Sequence, residues 1–316
     1  MRICVLAGGV GSARFCAGLV RVVDPSDVTV IVNTGDDARM QGLYVSPDVD
    51  TVLYHMAGLT DWERGWGAAE ESYRSHERYV ELAERAGDTG VDLQEWFTLG
   101  DLDLATNMLR SRMLDAGRPL ADAIDALRRA LGVGARVLPM SNDPVRTVLE
   151  TATGEVLDFQ TYFVRHRHTD PISAVHFEGV TNASPAPGVL DAIAGADLLL
   201  IPPSNPIVSI GPVLSVRDIR DAAGSVPKRV AISPIVGGKA LKGPADMLMR
   251  SLGHRQDAIG VARIYEGLID TFVLDEADAM LAGDVANIGV RPIVCDTIMS
   301  SAEASAAVVK TVLERV

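Results

Sequence analysis

The stretch ICVLAGGVGSAR, residues 3–14, decides the fold. Its first residues, 3–6, form a short continuous apolar run, which is typical of a strand buried on both faces. Small residues follow the run, and a helical pattern follows them. At such a junction the backbone amides of a helix N-terminus can meet a phosphate. We therefore predict a nucleotide- or phosphate-binding loop that is formed by Gly8, Gly9, Gly11 and Ser12.

The same loop has two other interpretations. A tight turn from strand to helix needs glycine only because glycine adopts positive φ readily. A dinucleotide fingerprint, typical of an NAD-linked oxidoreductase, needs a third glycine where this chain has Arg14, and an acid after the second strand where it has Asn33. An NAD-linked oxidoreductase is therefore an alternative that two positions disfavour.

Short runs rich in Val, Ile and Leu recur along the chain, with helix-period stretches between many of them. This alternation indicates βαβ units, so we predict an α/β fold with a doubly wound, mostly parallel, Rossmann-like sheet in one domain, 1–316. Ligands are expected beyond the carboxyl ends of the strands. The predicted strands are 3–6, 28–32, 136–138, 198–201, 229–232, 271–274 and 292–294. The helix-period stretches include 13–23, 213–223, 245–252 and 303–315.

Two segments depart from the alternation. Residues of about 51–131 are mostly helical and hold all three tryptophans, which predicts a helical insertion that forms a lid or an acceptor pocket. Residues 146–165 have a β-branched and aromatic pattern around Thr153-Gly154, which predicts a hairpin added antiparallel to the sheet.

Composition restricts the partners and the compartment. The formal net charge of -13 repels a phosphate polymer, and no basic stripe offsets it, so we expect no nucleic acid partner. No apolar run approaches the roughly 20 residues that span a bilayer, so no membrane association is expected. The three cysteines lie in apolar segments, as in reduced, buried thiols, and a cytoplasmic location is expected.

Acidic residues follow the second strand in two groups, Asn33-Thr34-Gly35-Asp36-Asp37 and Pro47-Asp48-Val49-Asp50-Thr51. Mg²⁺ binds one or two carboxylates together with water and substrate phosphate, and these loops could supply them. Such a metal would neutralise a diphosphate and polarise its phosphorus. The alternative is that Asp48 caps a helix, while Asp36 and Asp37 are solvated turn residues.

Seven motifs in order resemble the 2-phospho-L-lactate transferase family (CofD type) of deazaflavin coenzyme biosynthesis, and together they cover nearly the whole chain. The motifs are Gly8-Gly9-Val10-Gly11, Asn33-Thr34-Gly35-Asp36-Asp37, Ser46-Pro47-Asp48-Val49-Asp50-Thr51, Arg64-Gly65-Trp66-Gly67, Leu99-Gly100-Asp101-Leu102-Asp103, Pro203-Ser204-Asn205-Pro206 and Ser233-Pro234-Ile235-Val236-Gly237-Gly238. Two positions depart from the family pattern, since Asn107 stands where a histidine is common and Asn142 stands where the family often has a second acid.

The resemblance implies a Mg²⁺-dependent transferase of coenzyme F-420 biosynthesis. Its acceptor would be a deazaflavin riboside, whose ribityl hydroxyl attacks the phosphorus of lactyl or enolpyruvyl diphosphoguanosine, and GMP would leave. Similar proteins are often dimers, so a homodimer is a further expectation. A nucleotide-sugar-binding regulator of the gluconeogenesis-factor type is a second alternative, because those proteins share the first strand, the glycine loop and the Asn-Thr-Gly-Asp-Asp stretch.

The resemblance also implies roles for individual residues. Metal binding or orientation of the hydroxyl is assigned to Asp37, Asp48 and Asp50. Donor binding is assigned, besides the glycine loop, to Ser204, Asn205, Gly237, Gly238, Lys239 and Lys242. Acceptor binding is assigned to Asn33, Thr34, Asp36, Trp96, Thr98, Gly100, Asp101 and Asp103. The tryptophans of the insertion and Phe97 are expected to form the apolar wall for the deazaflavin ring.

Overall fold

The structure is a computed structural model that describes all 316 residues. Its strands are β1 (Ile3–Ala7), β2 (Val28–Val32), β3 (Ala38–Met40), β4 (Leu43–Val45), β5 (Arg136–Pro139), β6 (Arg146–Thr151), β7 (Val156–Asp158), β8 (Ile172–Glu178), β9 (Leu198–Ile201), β10 (Arg229–Ile232), β11 (Ile235–Val236), β12 (Lys239–Ala240), β13 (Thr271–Leu274) and β14 (Arg291–Val294). Its α-helices are α1 (Gly9–Val22), α2 (Pro47–Ala57), α3 (Arg74–Ala86), α4 (Asp101–Asp115), α5 (Leu120–Ala130), α6 (Val189–Ala194), α7 (Ile210–Ser215), α8 (Ile219–Gly224), α9 (Ala245–Ser251), α10 (Ala258–Ile264), α11 (Ala282–Asn287) and α12 (Ala302–Arg315).

Seven parallel strands form the central sheet, in the order β14-β13-β10-β9-β1-β2-β5. The chain therefore builds the sheet outward from β1 in both directions, and the order switches between β1 and β9. All seven predicted strands are present, and the predicted doubly wound α/β class is confirmed.

Side chains of β1 alternate between two hydrophobic cores, because successive residues of a strand point to opposite faces. Cys4 and Leu6 belong to the core that α6 to α11 cover, whereas Ile3, Val5 and Ala7 belong to the core under α1, α2, α5 and α12. No residue of β1 is more than 2% exposed. Burial on both faces is the physical reason why the sequence shows these strands as continuous apolar runs.

One predicted helix is divided in the structure. The sequence pattern predicts a continuous helix over 213–223, but α7 ends at Ser215 and α8 begins at Ile219. Asp218 between them has φ of 68°, a left-handed conformation that cannot continue a right-handed helix.

The predicted hairpin is present, but its attachment was predicted wrongly. β6 and β7 pair antiparallel around the turn at 152–155. On its other edge β6 pairs with β8, so these strands form a separate three-stranded sheet and do not extend the parallel one. Both edges of β6 are therefore already hydrogen-bonded, which leaves none for the central sheet.

Helices α2 to α5 occupy the range in which the insertion is predicted. Those at its two ends pack on the sheet, since α2 and α5 both contribute side chains to the core under α1. Residues 58–119 contribute no buried side chain to either of the two large cores, and α3 has no buried residue at all. No helix of the chain combines the length and the apolar character that a membrane crossing requires.

The close approach of α1 to the loop after β9 generates a first prediction. A Cβ at Gly11 would lie 2.0 Å from the carbonyl oxygen of Pro203, so Gly11→Ala should force the two segments apart. We expect the free energy of unfolding, measured by urea denaturation, to fall by about 2 kcal/mol. Gly283→Ala is the control, because this helical glycine is exposed and has no atom within 4 Å of the added carbon. Equal stability of the two variants would contradict the packing that we describe.

Candidate active site

A cavity of about 650 Å³ opens where the strand order of the central sheet switches. Its lining includes the segments that follow the carboxyl ends of β1, β2 and β9. Residues from the region before α4, from 159–164 and from 241–245 enclose the remaining sides. Ligands of doubly wound proteins bind at such switch points, so this cavity is the candidate active site.

The glycine loop forms one side of the cavity. Gly8, Gly9 and Gly11 line it, and α1 begins at Gly9, directly after Gly8, which has no side chain that could cap the helix. Gly9 has φ of 73°, and a Cβ at Gly8 would lie 3.0 Å from a carboxylate oxygen of Asp48. The glycines therefore allow both a positive φ and a close approach of the backbone, while helix amides remain available for an anionic ligand.

Ser12 lies behind this loop and outside the lining of the cavity. Its hydroxyl is buried and forms a hydrogen bond with the hydroxyl of Ser204, which in turn donates to the carbonyl oxygen of Gly8 at 2.7 Å. Ser204 and Asn205 line the cavity, and the side-chain nitrogen of Asn205 is buried without a hydrogen-bond partner. The structure thus makes Ser12 a support of the loop and leaves Asn205 with a free donor.

Asn33 fixes the carboxylate of Asp48. Its side-chain nitrogen donates to Asp48 Oδ2 at 2.9 Å, and its side-chain oxygen accepts from the amide of Gly35 at 2.8 Å. Both Asn33 and Thr34 are buried beneath the cavity and do not line it. Asn33 therefore supports an acidic residue of the site, whereas its own predicted contact with the acceptor stays a prediction.

Asp36 and Asp48 are buried, line the cavity and are close enough to repel each other. Burial, followed by the charges of Asp48 and Asp37, raises the pKa of Asp36 well above its usual range. Burial likewise raises the pKa of Asp48 to about 6, against hydrogen bonds from Asn33 and the amide of Gly9. One oxygen of Asp36 is buried without any partner. No lysine or arginine charge lowers the pKa of either carboxyl, and the nearby Arg110 pairs with Asp50 instead.

Asp37 and Asp50 have a different environment. Asp50 lines the cavity and is ion-paired to Arg110, whose side chain is fully buried. Asp37 lies outside the lining and accepts a hydrogen bond from the Ser46 hydroxyl at 2.7 Å. Burial raises the pKa of Asp37 well above its usual range, although the Ser46 hydrogen bond and the nearby charge of Arg110 lower it in part. Of the predicted metal trio, Asp48 and Asp50 thus face the cavity and Asp37 does not.

The arrangement of these acids fits Mg²⁺ under one condition. No group of three or more His, Cys, Asp or Glu residues is arranged to hold a metal ion. Mg²⁺, however, commonly takes one or two carboxylates and completes its shell with water and substrate phosphate. The uncompensated pair of Asp36 and Asp48, with its unpartnered oxygen, offers those carboxylates. The donor set therefore suits an ion that binds together with a phosphorylated ligand.

The predicted acceptor residues separate into two groups. Thr98 and Asp103 line the cavity with Phe97, and burial together with the charge of Asp50 raises the pKa of Asp103 to about 6. Asp36 lines the cavity as well, and the other predicted acceptor residues lie outside the lining. Trp96 packs edge-on against Phe97, at a ring distance of 5.9 Å. Asp101 accepts hydrogen bonds from Ser72 and Ser75, and Gly100 lies so close to Glu71 that a Cβ would overlap the carboxylate.

Sequence reasoning missed an aromatic wall of the cavity that two phenylalanines form. Phe159, Gln160 and Phe163 line the cavity, and the two phenylalanine rings are nearly parallel at a centroid distance of 5.5 Å. Gln160 donates to the backbone oxygen of Asp36 at 2.8 Å, which ties the wall to the acidic pair. A π-helical turn, Thr161–Arg165, carries Phe163. The only signal in the sequence is the spacing of the two rings, four residues apart.

Cations reach the cavity from three segments. Arg14, Arg64 and Lys242 line it. Arg14 donates to the carbonyl oxygens of Met299 and Trp62, and Lys242 lies 3.4 Å from the carbonyl oxygen of Glu63. The other predicted donor residues of this region lie outside the lining: Gly237 and Gly238 form the turn between β11 and β12, and Lys239 is the first residue of β12.

These features define the class, a doubly wound α/β protein that presents a glycine loop and an acidic pair at its switch point. The sequence model of the 2-phospho-L-lactate transferase CofD family matches residues 3–313. The chain therefore belongs to this family, which confirms the resemblance that the motifs indicate.

Relatives with two different names share most of its length. A phosphoenolpyruvate transferase of Streptomyces griseus is 42% identical over 99% of this chain and 98% of its own length. A 2-phospho-L-lactate transferase of Methanothermobacter thermautotrophicus is 40% identical over 90% of this chain and 88% of its own. The two differently named relatives are therefore about equally similar in sequence to this chain.

Solved structures support the fold. The crystal structure of protein BH3568 of Bacillus halodurans, a member of the UPF0052 family, matches with a TM-score of 0.58 and 19% identity over 93% of this chain and 92% of its own. At this identity the likeness concerns the fold alone.

The raised pKa of Asp48 generates a prediction about stability and pH. The folded protein keeps this carboxyl protonated up to about pH 6, whereas the unfolded chain loses the proton near 3.8. Stability should therefore fall as the pH rises through that window and stay lower above it. Asn is the neutral isostere, so metal-free Asp48→Asn should exceed wild type by about 2 kcal/mol in unfolding free energy at pH 7.5, and the difference should disappear as the pH falls below 3.8.

Asp101→Asn is the matched control with the opposite sign. Hydrogen bonds from Ser72 and Ser75 lower the pKa of Asp101 to about 2, so its contribution is present above 3.8 and lost as the pH falls toward 2. This variant should be less stable than wild type at pH 7.5. A loss of stability for Asp48→Asn at that pH would contradict the environment described for the acidic pair.

Proposed function

We propose that this protein transfers 2-phospho-L-lactate or phosphoenolpyruvate from its diphosphoguanosine donor to the ribityl hydroxyl of a deazaflavin riboside, and releases GMP. In this reaction the hydroxyl oxygen forms a bond to the phosphorus that carries the three-carbon acid, and the bond from that phosphorus to the GMP oxygen breaks. Membership of the CofD family and the names of the relatives support the proposal.

The observation that carries the proposal is the combination of groups in one cavity. A glycine loop at a helix N-terminus, an uncompensated acidic pair and an aromatic wall line the same space. The glycine loop suits a polyphosphate, and the acidic pair suits a metal ion that is bound to phosphate. The aromatic wall suits a flat, largely apolar ring. A transferase that joins a nucleotide-linked phosphate to a ring-bearing alcohol needs all three.

The donor is assigned to the switch point between β1 and β9. Helix amides that follow Gly8, together with Arg14 and Lys242, are placed to offset the diphosphate charge. The unpartnered amide of Asn205 offers a donor to guanine or ribose. An acidic protein can bind a diphosphate in this way because local amides and a few cations outweigh its net charge at short range.

The proposed metal ligands are Asp36 and Asp48. Mg²⁺ bound there would neutralise the diphosphate and polarise the phosphorus under attack. Asn33 and the Gly9 amide donate hydrogen bonds that orient the carboxylate of Asp48. Gln160 holds the backbone of Asp36 through a hydrogen bond to its carbonyl oxygen. Positioning and charge neutralisation thus supply most of the catalysis that we assign to the chain.

The acceptor ring is assigned to the side lined by Phe97, Phe159 and Phe163. Thr98 and Asp103 on the same side are available to its polar edge. With the ring there, the ribityl chain would point across the cavity toward the acidic pair and the donor phosphates.

Two further expectations, on location and oligomeric state, accompany this proposal. A cytoplasmic enzyme fits the three cysteines, all of which are buried and free. A homodimer stays a prediction that a sedimentation experiment can test. Neither the regulator nor the NAD-linked enzyme is favoured, since the family match covers the transferase motifs, and Arg14 occupies the third glycine position of a dinucleotide loop.

Incubation with the deazaflavin riboside, Mg²⁺ and either donor tests the function directly. Mass spectrometry should detect the phosphodiester and GMP with one donor, which would also identify the acid that is transferred. Chelation should abolish the product, and Asp48→Asn should lower kcat by about 100-fold or more because it removes a metal ligand. Nucleotide binding without product from either donor would contradict the transferase and favour the regulator.

Phe163→Leu tests the aromatic wall. The variant keeps an apolar side chain but loses the flat ring, so we expect the KM for the deazaflavin riboside to rise about fivefold while the KM for the donor stays unchanged. Trp96→Phe is the control, because this residue lies outside the cavity. An unchanged acceptor KM for Phe163→Leu would remove the wall from the acceptor site.

A further inference from the structure

Helix α4 packs with its polar side inward. Asn107, Arg110 and Ser111 are its buried residues, whereas Met108 is 56% exposed and Leu109 is 42% exposed. A helix on the surface of a globular protein ordinarily does the reverse. The polar groups on the inner side of α4 therefore need a reason other than hydrophobic packing.

Arg110 is the centre of this buried polar side. Its side chain is fully buried, one terminal nitrogen pairs with the carboxylate of Asp50, and the other donates to Asn107 Oδ1 at 2.6 Å and to the carbonyl oxygen of Tyr44 at 3.4 Å. Burial by itself would lower the pKa of Arg110, but the charges of Asp50 and Asp37 raise it above its ordinary value. The guanidinium is therefore a fixed cation between two acids.

This ion pair joins two parts of the cavity. Asp50 belongs to α2, which packs on the sheet, and it lines the cavity. Arg110 belongs to α4, which begins just after Thr98 and also carries Asp103. Polar contacts on the same helix face add to the attachment, since Tyr54 donates to the Thr106 hydroxyl at 2.8 Å.

We propose that Arg110 is a positioning residue for the transfer reaction, which holds Asp50 on the floor of the cavity and fixes the insertion with its acceptor-side residues at one distance from the donor loop. The inference rests on the proposed function. A planar guanidinium is required because it bonds to the carboxylate with one nitrogen and to Asn107 and Tyr44 with the other, whereas a lysine has a single ammonium group.

Arg110→Lys tests the inference, with Arg112→Lys as the matched control. Arg112 lies two residues along the same helix, is exposed, and makes no salt bridge or side-chain hydrogen bond. We expect Arg110→Lys to lower kcat about 10- to 100-fold and to raise the acceptor KM, with the donor KM unchanged, because it misplaces one side of the cavity relative to the other. Arg112→Lys should retain wild-type constants.

The outcomes separate the inference from the function on which it rests. Product formation by the wild type tests the proposed transferase function. Loss of activity in Asp50→Asn tests whether Asp50 takes part in the reaction. If both hold and Arg110→Lys keeps its kcat while only its thermal midpoint falls, Arg110 is merely structural and the inference is overturned.

A second variant covers the case in which Arg110→Lys does not fold. Asn107→Ala removes one hydrogen bond from the guanidinium and leaves the ion pair with Asp50 in place, and Asn107→Asp, which keeps that acceptor, is its control because Asn107 itself lines the cavity. A fall in kcat with a rise in the acceptor KM, at an unchanged thermal midpoint and donor KM, supports the inference. Wild-type constants in this folded variant would overturn it.

Discussion

The site depends on the cost of taking carboxylates out of water. Four aspartates meet at the carboxyl edge of the sheet, and three of them, Asp36, Asp48 and Asp50, are less than 10% exposed. A buried charge is tolerated only with a partner, and Arg110 is the single fully buried cation beside them. It pairs with Asp50 and acts on Asp37, so the charge of the other two acids is left for a ligand to balance.

This imbalance shows how an acidic protein can take a phosphorylated ligand into an acidic cavity. Asp36 and Asp48 repel a diphosphate when they are ionised, and each keeps its proton to higher pH because of burial. A divalent cation would reverse the sign of that interaction, because both carboxylates and the phosphate oxygens could contribute to its binding. The glycine loop is the neutral counterpart, for it offers amides without the desolvation cost of a further charge.

The sequence was sufficient for the fold because the central strands are buried on both faces, and short continuous apolar runs that alternate with helical stretches are typical of such strands. It was sufficient for Gly8, Gly9 and Gly11 in the cavity, because the loop between a strand and a helix is a local structure. It could not decide between adjacent residues such as Asp36 and Asp37, since only the turn geometry determines which carboxylate faces the cavity. The places of Phe163 and Arg110 in the site could not be predicted from the sequence, because they depend on contacts with segments distant in sequence.

The insertion shows why fold and function separate in this protein. The fold recurs at 19% identity in a UPF0052 protein, and a shared fold of that kind does not determine a reaction. Phe97, Thr98 and Asp103 come from residues between β4 and β5, outside the layers of the sheet. A helix with a purely apolar inner face could slide or rotate on the sheet at little cost, because hydrophobic contact is not directional. A buried guanidinium that must meet Asp50, Asn107 and the Tyr44 carbonyl allows one register only, so polar packing is the means by which an added segment acquires a defined place beside the glycine loop.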